Sequence, residues 1–559
     1  MRDVVRRALV SLLAVAALPL SAAPQAPRGT AAISGVVRDA ASGRPLADAV
    51  VSLRAAGVGK SEPSQQFTDE TGRFVFTNLA GGQPYLLTAS KPGFLEGTIG
   101  GIAAPGLRPP IELADGEWVA DADISLTSFG GLSGTVTDDL GLPLAGVRVH
   151  ALPVIPVAGR RRVILGPFTE TDDRGRYRIS GLPPGRYLTM APRSIYDVAF
   201  SMPLASLDAA PILDAGQELS SVDLRLTYAE GHSVSGVLQA PPKGPRGLAS
   251  LSLLAADLED LGFQFAIATT RAGAGGTFTF ANVPDGAYTL LSGRSIPMPA
   301  ELNLHGVPTR AGLPLVSHAG SPPDGGWRTR VDLGGADVSG LVVPFQPTGS
   351  LTVHLVPELD PAFPTPAGSP GVVLEPASGN LSLASPDYDR QASTATSHVY
   401  RGVHPVRYAV RTGNAGWTIR SVVAGGRDIT DTGLDARGGM PFSAVTATFT
   451  NAAPVLTGTV QSGRGRARAA VLLFPVERDR WLDYGLASDR MAVVMTSLAG
   501  NYRIVDVPAG SYYVVAIAPA RADQWRDPDF LARASSVAAI VTLDWGRTTT
   551  QELQVVDVR

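Results

Sequence analysis

One phrase returns, with variation, about once every hundred residues, and it limits what this chain can fold into more than any other feature. It reads Thr68-Asp69-Glu70-Thr71-Gly72-Arg73-Phe74 with Asn78-Leu79 after it. It then reads Thr171-Asp172-Asp173-Arg174-Gly175-Arg176-Tyr177 with Gly181-Leu182-Pro183-Pro184-Gly185-Arg186-Tyr187. Shorter forms follow: Gly276-Thr277-Phe278 with Val283-Pro284-Asp285-Gly286-Ala287-Tyr288, and Gly500-Asn501-Tyr502 with Val507-Pro508-Ala509-Gly510-Ser511-Tyr512. A fixed period of this length signals one folded unit used several times.

Each unit opens on a short strand, and all but the fourth carry a glycine at its centre. The openings are Ile33 to Val37, Leu132 to Val136, Val234 to Leu238, Gly349 to Val353 and Leu456 to Val460. A turn such as Pro143-Leu144-Ala145-Gly146 leads to a second strand, where alternation puts Val147 and Val149 inward and Arg148 and His150 outward. The repeated phrase is then strand, turn, strand: the aspartate bonds the backbone ahead of it and the glycine accepts positive φ. Arg176-Tyr177-Arg178-Ile179 alternates out and in, which makes Tyr177 a core anchor. The fourth unit has Val406 where the turn before Tyr408 should carry glycine, so its turn geometry should differ.

Short alternating strands with almost no helical period predict an all-β chain of five tandem antiparallel β-sandwiches, prealbumin-like or immunoglobulin-like, after a signal peptide. The boundaries fall at 1–26 (signal peptide), 30–128, 129–228, 229–346, 347–451 and 452–559, with one short helix near Pro528 to Ala534. The leader has Arg2, Arg6 and Arg7, an apolar run from Ala8 to Leu20, and small residues to Ala26. That run is too short to span a bilayer and matches an export signal. No cysteine is present, so no disulfide supports the domains. With 47 Lys+Arg against 50 Asp+Glu and no basic stripe, nucleic acid is a poor partner.

The phrases Ser-Gly-x-Val, Pro-Leu-Ala-Gly-Val, Asp-x-x-Gly-x-Tyr and Leu-Pro-Pro-Gly-x-Tyr resemble those of carboxypeptidase regulatory-like domains, which are prealbumin-like sandwiches also similar to starch-binding and Cna B-type repeats. Residues 423–431 resemble a segment of long bacterial proteins built from such domains. The resemblance implies an exported, non-catalytic module, and its wider fold group is associated with carbohydrate binding. The Lys-to-Asn isopeptide bond of Cna-type repeats does not carry over, since the three lysines (Lys60, Lys91, Lys243) lie off the opening strands.

No catalytic constellation is found. The histidines at 150, 232, 305, 318, 354, 398 and 404 lack a glutamate three residues on, and no serine elbow, phosphate loop or dinucleotide fingerprint occurs. The pair Asp172-Asp173 reads as a turn, and Asp527/Asp529 as a helix cap. No catalytic residue, metal site or cofactor is therefore expected. The weak candidates for ligand contact are Trp481 and Tyr484, which could offer an aromatic platform for sugar or could fold back over the end of the sandwich. The expectation is a binding or scaffold protein in the periplasm, on the outer surface or secreted. Its expected partners are polysaccharide first and envelope proteins second, with no transmembrane segment once the signal is removed. A soluble part of an outer-membrane receptor system or a protein–protein adhesion module is the alternative, with an enzyme of unrecognised type behind both.

Overall fold

The computed structural model describes residues 29–558 apart from 56–61, 103–110, 165, 192–193, 196–197, 202–206, 208–209, 242–248, 257–265, 293–324, 380–385, 438–443 and 464. The leader at 1–26, Lys60, Lys243, His305 and His318 lie outside the described residues. The chain is all-β, and its hydrogen-bonded strands fall into groups spanning 31–126, 130–228, 231–347, 349–450 and 455–554. Among the described residues no named sheet joins one group to another.

All five groups share one strand arrangement, and four of them add a central glycine to it. The opening strand lies antiparallel to the strand of the repeated phrase and parallel to the closing strand. Ala31–Asp39 pairs with Arg73–Leu79 on one side and with Trp118–Val119 and Ile124–Leu126 on the other. The register places a glycine opposite an aromatic ring each time: Gly35 opposite Phe74, Gly134 opposite Tyr177, Gly236 opposite Phe278 and Gly458 opposite Tyr502. A Cβ on Gly134 would lie 2.2 Å from the Val222 carbonyl oxygen, and one on Gly458 1.9 Å from that of Gln551. The closing strand dips onto the opening strand at these points, and the tyrosine reaches over to fix it: Tyr177 Oη donates to Val222 O (2.5 Å) and Tyr502 Oη to Gln551 O (2.7 Å).

The fourth group shows why it lacks that glycine. Its closing strand Ala444–Thr450 runs beside Gly349–Glu358 without a break, from Thr352 opposite Ala444 to Glu358 opposite Thr450. With no dip to accommodate, Leu351 stands opposite Tyr400, and Tyr400 Oη turns instead to Val372 O. Its turn also differs, as the valine predicted. Tyr187, Tyr288 and Tyr512 each donate to the carbonyl of a proline four residues back. The residue four before Tyr408 is His404, which has an N–H, and that N–H donates to Tyr408 Oη (2.9 Å).

The turn of the phrase forms as its residues require. Asp172 Oδ1 accepts from the amides of Arg174 (2.9 Å) and Arg176 (2.8 Å), which holds its carboxyl below the usual range, and Gly175 takes φ +69°. The threonine that opens the phrase is a buried latch. Thr171 Oγ1 donates to Leu144 O and accepts from Val147 N; Thr68 and Thr496 make the same two bonds in their own groups.

One sheet departs from simple alternation. His150 is buried rather than outward, because Phe168 on the neighbouring edge strand lies over it at 5.2 Å between ring centroids. Burial pushes its imidazole down to about 4. The second and third groups also share apolar core, with Leu152, Val163, Leu188 and Met190 packing among Leu251, Phe280 and Trp327. The helix near residue 528 is present as Pro528–Ser535, and Asp527 caps it by accepting from Asp529 N.

Candidate functional site

The strand Ala470–Pro475 reads Ala-Val-Leu-Leu-Phe-Pro and is buried at every position. A continuous apolar run of this kind belongs to a strand covered on both faces. Val471 and Leu473 face the sandwich core with Tyr502 and Val514. Leu472 and Phe474 face the other way, into a second core made with Trp481, Trp525, Phe530 and Leu531. The sheet therefore has a cap, built from the segment after Phe474 and the helix Pro528–Ser535.

Trp481 and Tyr484 belong to that cap. Trp481 ends a short 3-10 turn, Arg478–Trp481, and is 3% exposed. Its indole stands edge-on to Phe474 (centroids 5.6 Å apart) and its Nε1 donates to Pro475 O (2.8 Å). Tyr484 stacks on Trp525 with planes 26° apart, and burial pushes its phenol up to about 12. Trp481 is buried and Tyr484 is half-buried with one face on Trp525, so the two do not stand side by side as open rings. Folding back over the end of the sandwich is the arrangement observed.

Between the two rings lies the residue that does most at this loop. Asp483 takes φ +53°, and its carboxylate accepts from Arg160 Nε (2.7 Å) and Nη2 (3.0 Å) in the second group and from Arg407 Nη2 (2.8 Å) in the fourth. Its own amide donates to Ala158 O (3.0 Å). Burial alone would raise its carboxyl, but the Arg160 bonds and the charges of Arg160, Arg407 and Arg162 outweigh that and hold it low. A few residues on, Glu375 of the fourth group accepts from Arg411 Nη2 (2.5 Å) and from Leu486 N (2.8 Å), and Gly485 N donates to Ala377 O (2.9 Å). Asp431 receives Arg480 at 3.1 Å and Arg490 at 2.6 Å. Arg162 Nη2 closes the circuit on Ser378 O (2.8 Å).

Chemically this is a junction. Residues 475–491 carry the ionisable groups and rings that a binding loop would carry, but they join the fifth strand group to the second and fourth. The fifth group also meets the first, where Arg468 donates to the carbonyl oxygens of Asp121 and Asp123. Among the described residues no cluster of His, Asp and Glu is arranged to hold a metal ion. The sequence hinted at the junction through the arginines around Asp483, but reaching it requires knowing which faces meet.

The first strand group holds the repeated features in complete form: the Gly35–Phe74 register, the Asp69 turn and the Thr68 latch. Residues 32–127 match the carboxypeptidase regulatory-like domain family. The matched stretch covers all but the first residue of the first strand group and ends one residue past its closing strand, Ile124–Leu126. No curated protein matches the chain. Solved structures similar to it include the Bacillus anthracis TIE protein (12% identity, 57% of this chain and 51% of that one, TM-score 0.16), so the chain spans about half the length of that relative. Others are the minor pilin of Streptococcus agalactiae (17%, 39% and 99%, TM-score 0.23) and two B repeat units of the collagen-binding protein of Staphylococcus aureus (13%, 75% and 99%, TM-score 0.13).

Proposed function

We propose that this chain is an exported, non-catalytic scaffold or binding protein. Its sandwich domains are held in fixed relation, with polysaccharide as the first ligand class and envelope proteins as the second. The observation that carries the reading is the use made of residues 475–491. A catalytic loop keeps some acid, base or nucleophile directed at substrate. Here Asp483 and Asp431 are bonded to arginines of other strand groups, while Glu375 pairs with Arg411 inside the fourth group and reaches the fifth by accepting from Leu486 N. Such a junction fixes orientation between domains, which suits a protein that displays surfaces at set positions.

Small-angle X-ray scattering on the mature protein, paired with a polysaccharide and glycan binding screen, tests this. A profile of one rigid particle is expected, and it should become extended and variable in Asp483→Ala, Glu375→Ala. A wild-type profile of freely jointed beads would refute the fixed-scaffold reading.

A further inference from the structure

We infer that the outer face of the regulatory-like domain, centred on Trp118, is a binding platform for a neutral polysaccharide. The inference rests on the binding reading given above. Trp118 is 68% exposed, whereas Trp327, Trp417, Trp481 and Trp525 are buried. Its indole is held in place, because Nε1 donates to Ser34 Oγ at 2.9 Å. Ser34 in turn lies opposite Val75, which is 45% exposed, so indole, hydroxyl and isopropyl group form one row across three strands.

The repeats within this chain show that the fold does not require such a row. In the second group the matching positions hold Glu218 opposite Gly131 and Arg178 opposite Ser133, and these two bond each other at 2.5 Å. The third group places Thr279 opposite Ser235, and the fifth places Arg503 opposite Thr457 and Thr548 opposite Val455. Polar groups suffice at this face in all three. The first group alone among these four exchanges them for an oriented indole and a valine, at a site where the indole stays largely exposed and the valine nearly half exposed.

The size and chemistry of the row select the occupant. One indole and one isopropyl group fall far short of the roughly 800 Å² per partner that a stable protein interface buries. A pyranose ring is about as large as the indole. Its C–H face can lie on the π-system while its hydroxyls bond to Ser34 and Thr77, the latter exposed on the same side of the edge strand. Trp118, Ser34 and Val75 carry no charge, which suits an uncharged sugar on the row, with Arg73 exposed two residues from Val75 on the same face as a further hydrogen-bond donor.

The test is retention of the full mature protein on amylose, cellulose, xylan, chitin and peptidoglycan sacculi, by affinity electrophoresis or pull-down. Wild type should bind at least one of them, and Trp118→Ala should weaken that binding roughly tenfold or more with an unchanged melting temperature. Val75→Glu, exposed on the same face, should also weaken binding and carries the test if Trp118→Ala fails to fold. Wild-type binding that survives both substitutions overturns this site and leaves the binding reading standing. Absence of wild-type binding to any of the five overturns the polysaccharide reading itself.

Discussion

Replacing Glu375 by Gln should destabilise the protein by about 3 kcal/mol, and the structure shows where that figure comes from. The side chains of Glu375 and Arg411 are 4% and 8% exposed, and they meet at 2.5 Å. Breaking a buried pair by removing one charge costs about 3–5 kcal/mol, because the remaining ion stays in a medium that solvates it poorly. Gln is nearly the same shape, but its single carbonyl oxygen can accept from only one of Leu486 N and Arg411 Nη2, so the substitution removes the charge together with one accepted bond. The low end of the range applies because the charge of Asp489 also acts on Arg411. Urea unfolding followed by tryptophan fluorescence reads the change, since Trp481 and Trp525 sit in the cap beside this contact. A second variant, Glu375→Gln with Arg411→Met, removes the stranded charge and should recover at least half of the loss. A single variant within about 1 kcal/mol of wild type, or a double variant no better than the single, would refute the assignment of a buried, energetically coupled pair.

Acid should loosen the same junction. Asp483 is held below its unfolded value of about 3.9, so its contribution is complete above that pH and fades as pH falls through the lower folded value; the scattering radius should grow below about pH 4 and stay constant above it. Gly458→Ala should lower stability by about 2–3 kcal/mol by forcing the closing strand away from the opening one, and an unchanged melting temperature would count against the close approach at Gln551. Tyr177→Phe should cost about 1 kcal/mol for the lost bond to Val222, and Tyr177→Ala about 3–5 kcal/mol; equal effects would mean that the ring is not packed. Limited proteolysis should cut near 127–131, 227–232, 345–350 and 450–455, with the second and third fragments co-eluting through their common apolar core. First cuts that fall inside the strand groups, with these four stretches left intact, would dismiss the five-domain division.

Local chemistry made much of this fold readable. The Asp172–Gly175 turn, the inward Tyr177 and the Asp527 cap each depend on residues within a few positions of one another, so the sequence shows them directly. Faces were harder to assign. Trp481 and Tyr484 could have pointed either way, and the deciding clue was a strand away: the unbroken apolar run at 470–475 already implied a cover on both sides. Trp118 was obscured by the dip in the closing strand. Ala122, Ile124 and Leu126 point inward, and continuing their alternation backwards would bury residue 118. The strand instead breaks phase at Ala120 and Asp121, so that Val119 is buried and Trp118 emerges. Only pairing with the opening strand reveals that slip. His150 was misplaced for a related reason, since the ring that covers it belongs to a neighbouring strand.

The position of the junction also has a consequence for biogenesis. The fifth group supplies Asp483, Leu486 and Arg490, and it is synthesised after the groups they bind. At roughly 5–20 residues per second, the hundred or so residues from 452 onward need about 5–20 s to emerge. During that interval Arg160, Arg407 and the Glu375–Arg411 pair stand at surfaces without their cover. The strand groups can close one by one as they are made, and the second and third can join through their common core, but the contacts of Asp483, Glu375 and Asp431 that tie in the fifth group form only when that group arrives. A chain stopped near residue 451 would then lack the ionic contacts through which the fifth strand group holds the second and the fourth.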